Sequence, residues 1–293
     1  MNFSRRAFCL VAGLVMALGA AACRSGPRLV IGAKDFTEQI VLGELLANAA
    51  RQRPGAPLDV VRRFDLGGTL LCHRALLAGR IDVYPEYTGT ALADIFHQTP
   101  PADAKAAWRA ARADYRRAGL RISRPLGFDD SFAILVRQSM AKRLHLANVS
   151  ELARVAPRLR AAFGYEFFQR PDGYPGWARA YHIHFASPPR AMALALTYLA
   201  LASHRVDVIA GDSTAGRIQA LRLAALRDDR HFFPAYQAIY VYRPAAAPLL
   251  APLLQRLQGR ISTAAMRAMN ADVDVRHQDP KAVALRFLAA LKR

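Results

Sequence analysis

Short apolar runs alternate along this chain with longer stretches in which apolar residues recur every three or four positions, the pattern of strands interleaved with helices. Leu29-Val30-Ile31-Gly32 has the length and content of a buried strand, and helical spacing runs from Ile40 to Ala50. Asp35 with Glu38 three residues on has the form of a capping box, which predicts a helix whose amide end lies near Lys34. Leu58 to Arg63 predicts a second strand, and the turn Gly67-Gly68-Thr69 predicts a helix through Leu77. Arg80 to Tyr84 predicts a third strand, running out into the turn YPEYTGT, residues 84–90. Helical spacing returns at about 103–118, a strand at 131–136, and a strand followed by a loop rich in Gly, Pro and aromatic residues at 159–177. Ser187 before Pro188 and Pro189 predicts a helix through about Ser203, since proline suits a first turn. A strand at 206–211, an extended return at 232–243 and three helices near 247–258, 262–271 and 280–292 complete the chain. Strands alternating with helices predict parallel α/β sheets.

One unit occurs twice. When Arg80 is placed on Arg205, Ile81, Asp82 and Val83 fall on Val206, Asp207 and Val208, and further on Tyr87 falls on Asp212 and Thr88 on Ser213. In open α/β sheets ligands bind beyond the carboxyl ends of strands, so two halves built this way would place Tyr87 and Asp212 across a shared cleft. With 293 residues there is room for two lobes of roughly 100 to 150 residues each.

The first residues change the picture of where the protein works. Arg5 and Arg6 precede an uncharged apolar stretch from Cys9 to Ala22 that ends in three alanines, the form of a secretion signal over residues 1–22. That stretch is shorter than the ~20 residues a spanning helix needs, so no membrane span is expected. Ser4-Arg5-Arg6-Ala7-Phe8 resembles a twin-arginine export motif. The alanines before Cys23 resemble a lipoprotein cleavage site, except that Ala20 stands where leucine is usual, so lipidation of Cys23 and simple cleavage after Ala22 both stand open. Cys72 has no evident partner and lies in apolar helical spacing, which predicts a buried structural thiol rather than a disulfide or nucleophile.

Composition is globular, with 53% hydrophobic and 22% charged residues. The formal charge of +19 raises nucleic acid or another polyanion as a partner. Against that, the arginines are scattered singly or in pairs through alanine-rich helical stretches, the form of solvated faces, so no nucleic acid is expected. A basic surface also suits an anionic membrane face. No GxSxG, Walker loop, GxGxxG after a strand or HExxH is present. His182 and His184 lack a third metal ligand at diagnostic spacing, and Asp129 with Asp130 suits a loop or hinge better than paired acid–base work. No enzyme activity, cofactor or metal is therefore expected. Tyrosines at loop ends, by contrast, suit the recognition of quaternary ammonium by ring faces.

The stretches IGAKDFTEQ, the Gly-Gly-Thr turn, YPEYTGT, FQRPDGYPGW, STAGRIQ, LRDDRHFFPAY and LQGRIS together resemble, from about residue 29 to 291, the substrate-binding proteins of ABC transporters for osmoprotectants, the glycine betaine, carnitine and choline family. The resemblance implies an α/β fold of the type II periplasmic binding protein kind, two lobes with a ligand cleft between them. Crossovers near 129–131 and 234–236 would make one lobe discontinuous, 28–130 plus 237–293, and the other 131–236. It implies an exported, periplasmic, monomeric receptor, free or tethered to the membrane through Cys23, that delivers its solute to a membrane permease. By the same resemblance Tyr87, Phe132 and Tyr236 form an aromatic cage, Phe132 standing where tyrosine is common. Thr90 offers a hydroxyl and Lys34 a cation to a ligand carboxylate, Arg170 clamps that carboxylate from the other lobe, and Asp130 brings a backbone carbonyl to the ligand cation. Asp212 departs from the family, which has tyrosine there. Either its carboxylate faces the ligand cation, suiting a less methylated ammonium or another amine, or it pairs with Arg170 or Lys34 and favours a choline-like cation. A periplasmic enzyme on the same scaffold and a polyanion binder are the rival classes.

Overall fold

The structure is a computed structural model and describes residues 26–53 and 58–291; the expected signal at 1–22 and Cys23 lie outside them. The strands are β1 Arg28–Gly32, β2 Asp59–Arg63, β3 Val83–Tyr87, β4 Arg121–Ile122, β5 Phe132–Arg137, β6 Ala161–Gly164, β7 Arg190–Met192, β8 Val208–Asp212, β9 Leu223–Leu226 and β10 Ala238–Tyr242. They form two five-stranded sheets, β2-β1-β3-β10-β4 and β7-β6-β8-β5-β9. Each sheet has three parallel strands next to an antiparallel one, β10 against β3 and β5 against β8. The sheets are therefore mixed rather than wholly parallel: the fourth strand of each arrives from the other sheet and enters from the opposite end. The chain passes between the sheets twice, from β4 to β5 and from β9 to β10.

Both faces of each sheet are covered by helices, and alternate side chains of one strand feed opposite cores. Ala238 and Tyr240 of β10 pack with the Thr37–Arg51 helix and the three closing helices, while Ile239 and Val241 pack with Leu76, Ala107, Ala111 and Tyr115 on the other face. In β5, Ile134 and Val136 face one core and Ala133 and Leu135 the other. Cys72 is fully buried with Ile239 and Val241, and burial pushes its thiol up to about 12, which fits a structural role.

The repeated Arg-apolar-Asp-Val unit has one structural task performed twice. Asp82 accepts a hydrogen bond from the Val30 backbone N–H at 2.8 Å and from Arg243, just beyond β10. Asp207 accepts from the Arg160 N–H at 3.1 Å and from Arg137 at the end of β5 at 2.6 Å. In each half the aspartate ties the central strand to its parallel neighbour and to the returning antiparallel strand.

Several local expectations are corrected. The third strand is Val83–Tyr87 rather than residues 80–84, so YPEYT is mostly strand. Pro85 is tolerated because β1 pairs with β3 only at Ile31 and Val83, leaving the later residues bordered by β10 on one side. Asp35 and Glu38 do not form a capping box: Phe36 occupies the cap position without a side-chain bond, and Glu38 is drawn inward by other partners. The aromatic loop after β6 contains two short helices, Tyr165–Gln169 and Tyr174–Tyr181. Pro188 and Pro189 lead into the edge strand β7, and the helix begins only at Leu194; an extended backbone before proline wins over a first helical turn.

Candidate functional site

β3 and β8 end at equivalent places, and their last residues are Tyr87 and Asp212. Phe132, the first residue of β5, pairs directly with Asp212. Tyr236 lies in the passage into β10, its backbone tied to Asp130 at 3.1 Å and to the Asp129 carboxylate at 2.7 Å. Gly89 lets the tyrosine approach, since a Cβ there would stand 2.7 Å from the Tyr236 ring. These elements converge on a cleft of about 470 Å³. Lys34, Tyr87, Thr90, Asp130, Phe132, Arg170, Asp212 and Tyr236, the eight residues singled out from the sequence, all border it.

Two of the rings, Phe132 and Tyr236, are close enough to act together. Phe132 and Tyr236 meet edge to face with centroids 5.9 Å apart, and the Arg170 guanidinium lies 5.4 Å from the first and 5.7 Å from the second. The Lys34 ammonium lies 5.3 Å over the Tyr87 ring. Both cations are already neutralised. Arg170 meets Asp172 with two hydrogen bonds, Nε at 2.8 Å and Nη2 at 2.7 Å, while Nη1 reaches Asp94 at 2.8 Å and Glu166 at 3.2 Å. Tyr236 donates its hydroxyl to Asp172 as well. Lys34 donates to Glu86 at 2.5 Å, with both side chains almost wholly buried. Asp212 therefore does not pair with Arg170 or Lys34, and that reading of its departure from the family is set aside: each base has a nearer acid in its own surroundings.

Carboxylates dominate the electrostatics. Burial raises Asp212 well above the usual carboxylate range, and Asp130, Glu166 and Asp274 push it the same way. Burial likewise raises Asp130, with Glu38 adding to the effect. Glu38 accepts hydrogen bonds from the Tyr87 hydroxyl at 2.7 Å, the Thr214 hydroxyl at 2.5 Å and the Asn270 amide at 2.9 Å. Burial still lifts it to about 7 against those bonds. Asp94 is lifted to about 6, chiefly by burial, with Arg170 opposing. For Asp172 burial raises the pKa, but the bonds and charge of Arg170 outweigh it and hold the carboxyl low.

Glu86, Asp94 and Asp172 are site residues that the sequence reading did not single out, and it took Glu38 only as half of a capping box. Asp172, two positions from Arg170 in a Pro-Asp-Gly turn, had a local signal; Glu86 and Asp94 reach their partners across the fold and had none. His182 ends the Tyr174–Tyr181 helix in a left-handed conformation, and among the described residues no cluster of three or more His, Cys, Asp or Glu could hold a metal.

Residues 27–290 match the model of the OpuAC family, the substrate-binding domain of ABC-type glycine betaine transport systems. The chain is 33% identical to the glycine-betaine-binding protein of Pseudomonas aeruginosa, over 98% of this chain and 94% of that one. It is 31% identical to the carnitine transport binding protein OpuCC of Listeria monocytogenes, over 88% of this chain and 85% of that one. A crystal structure of a glycine betaine/carnitine/choline ABC transporter superimposes with a TM-score of 0.80 at 30% identity, covering 89% of this chain and 98% of that one.

Proposed function

The chain belongs to the OpuAC family of ABC-transporter substrate-binding proteins, and we propose accordingly that its cleft captures a small quaternary-ammonium solute of the glycine betaine, carnitine or choline class and presents it to a membrane permease. Proteins of this kind work outside the cytoplasm, and no described helix is long and apolar enough to cross a membrane. The observation that carries the reading is the convergence of Tyr87, Phe132 and Tyr236 on one cleft whose wall holds more acids than bases. Ring faces attract a cation that has no N–H to donate, each contact contributing about 0.5 to 2 kcal/mol. Carboxylates beside the rings add a longer-range attraction.

In this reading Tyr87, Phe132 and Tyr236 enclose the ammonium head, and Asp130 and Asp212 face its charge. Thr90, Lys34 and Arg170 receive the ligand's other end, the two bases doing so only as far as Glu86, Asp94 and Asp172 release them. The lobes are 28–130 plus 237–293 and 131–236, a division supported by the membership of strands in the two sheets. The protein acts in the periplasm as a monomer after removal of residues 1–22, either free or anchored through Cys23, and performs no chemistry on its solute.

Thermal unfolding of the mature protein with glycine betaine, choline and carnitine tests the reading. Ligand at a hundred times its dissociation constant stabilises by about 2.7 kcal/mol, so at least one of the three should raise Tm clearly. An unchanged Tm across all three at millimolar concentration would refute it.

A further inference from the structure

Beyond Asp212 the cleft does not end. A second cavity of about 340 Å³ shares Asp35, Phe36, Asp130 and Asp212 with the first, so those four residues form a common wall. Its remaining lining includes Glu38, Asp274, Asn270, Tyr198 and Arg217. Five carboxylates thus face one guanidinium, and that guanidinium is held 5.8 Å over the Tyr198 ring.

Two further observations point to a polar ligand, the first of them to one with hydrogens to donate. Asn270 is only 3% exposed, and its amide nitrogen donates to Glu38 at 2.9 Å and to the Thr214 carbonyl at 3.1 Å. Those acceptors fix the orientation of the amide, which leaves Asn270 Oδ1 buried without a partner. The Tyr198 hydroxyl, also on this wall, is buried without a partner as well. An unmatched buried acceptor is costly; an amide oxygen only accepts, and the acids beside it join it as acceptors once a cation ionises them. A quaternary ammonium cannot satisfy them; a cation with N–H groups can.

Resting on the reading of the first cleft as a quaternary-ammonium site, we propose that this second cavity is a subsite for an N–H-bearing cation, a primary ammonium or guanidinium. The whole cleft then accepts a solute with two cationic ends, one held by ring faces at Tyr87, Phe132 and Tyr236, the other hydrogen-bonded beyond Asp130 and Asp212 by Asp274 and Asn270. Asp274 already accepts from the Thr37 hydroxyl at 2.6 Å through Oδ1, leaving Oδ2 for the ligand.

Matched pairs of alkyl-trimethylammonium compounds test this, each pair of equal length and ending in either a primary amine or a methyl group, with two to six carbons between the ends. Isothermal titration should show the amine-terminated member of at least one pair binding tenfold or more tightly than its methyl-terminated twin. Asp274→Asn, which keeps an oxygen for the Thr37 hydroxyl, should remove that advantage, read as the affinity ratio within each pair so that any change common to both members cancels. Equal affinities within every pair overturn the proposal, and so does an amine advantage that survives in Asp274→Asn. Binding of quaternary ammonium without an amine advantage overturns the second subsite alone; failure of every quaternary ammonium to bind overturns the first-cleft reading and this one together.

Discussion

Arg170 shows how far a side chain's role depends on its neighbours. Its planar fork is suited to a ligand carboxylate, yet Asp172 already fills the fork and Asp94 takes the remaining nitrogen. Hydrogen bonds to charged groups contribute about 1.5 to 3 kcal/mol, so a ligand carboxylate competes with an established partner. Replacing Asp172 by asparagine keeps the shape and removes the competing charge. Asp172→Asn should raise the affinity for glycine betaine relative to choline by about tenfold in titration calorimetry, and an unchanged ratio would show that Arg170 does not read the carboxylate. The acids carry a pH dependence of definite sign. Glu38 holds its proton more tightly in the fold, with its pKa raised from 4.5 to about 7, so the unliganded protein loses stability as pH rises through that interval. A cationic ligand favours the ionised form, so its affinity should increase as pH rises from 5 through about 7, the range over which Glu38 ionises. Titration of choline across that range checks both sign and window, and Glu38→Gln should flatten the stability curve.

Among the strands and turns, β3 and the turn directly after it place two of the rings proposed to enclose the ligand. β3 ends at Tyr87, the backbone folds at once into the short helical turn Thr88–Thr90, and Gly89 touches both the Tyr236 ring and the Ala235 carbonyl across the passage. A methyl group at Gly89 would stand 2.7 Å from the ring and 2.9 Å from that oxygen. Gly89→Ala should therefore displace Tyr236 and weaken quaternary-ammonium binding by tenfold or more. Because the displacement is confined to the passage, Tm should fall only by a few degrees; an unaltered affinity would remove Tyr236 from the cage. The duplicated Arg-apolar-Asp-Val unit was legible in the sequence because Asp82 and Asp207 each tie a neighbouring parallel strand within their own half. The two helices within residues 165–181 were not, since their Gly, Pro and aromatic content reads locally as loop and only packing around Trp177 and Phe163 holds them helical.

Two sheets of the same strand order joined by two passages suit a hinged closure of the entire protein around the cleft. Phe132 and Tyr236 lie at those passages, so a ligand touching both would link binding to the angle between the sheets. Small-angle scattering should show the radius of gyration falling on addition of a ligand that raises Tm; an identical curve with and without it would exclude closure on binding. The formal charge of the sequence is +19, and the cleft runs against it, with acids in excess on its wall.

Residue order was enough to set the alternation of strands and helices and the doubled unit, because apolar period and turn chemistry are local, while the eight residues that border the cleft came from the resemblance of the loop motifs to a known family. Which acid neutralises which base was settled by folding. Lys34 meets Glu86 and Arg170 meets Asp94 across 52 and 76 residues of chain, and a Coulomb pair depends on distance in space and on burial, neither of which leaves a trace in residue spacing.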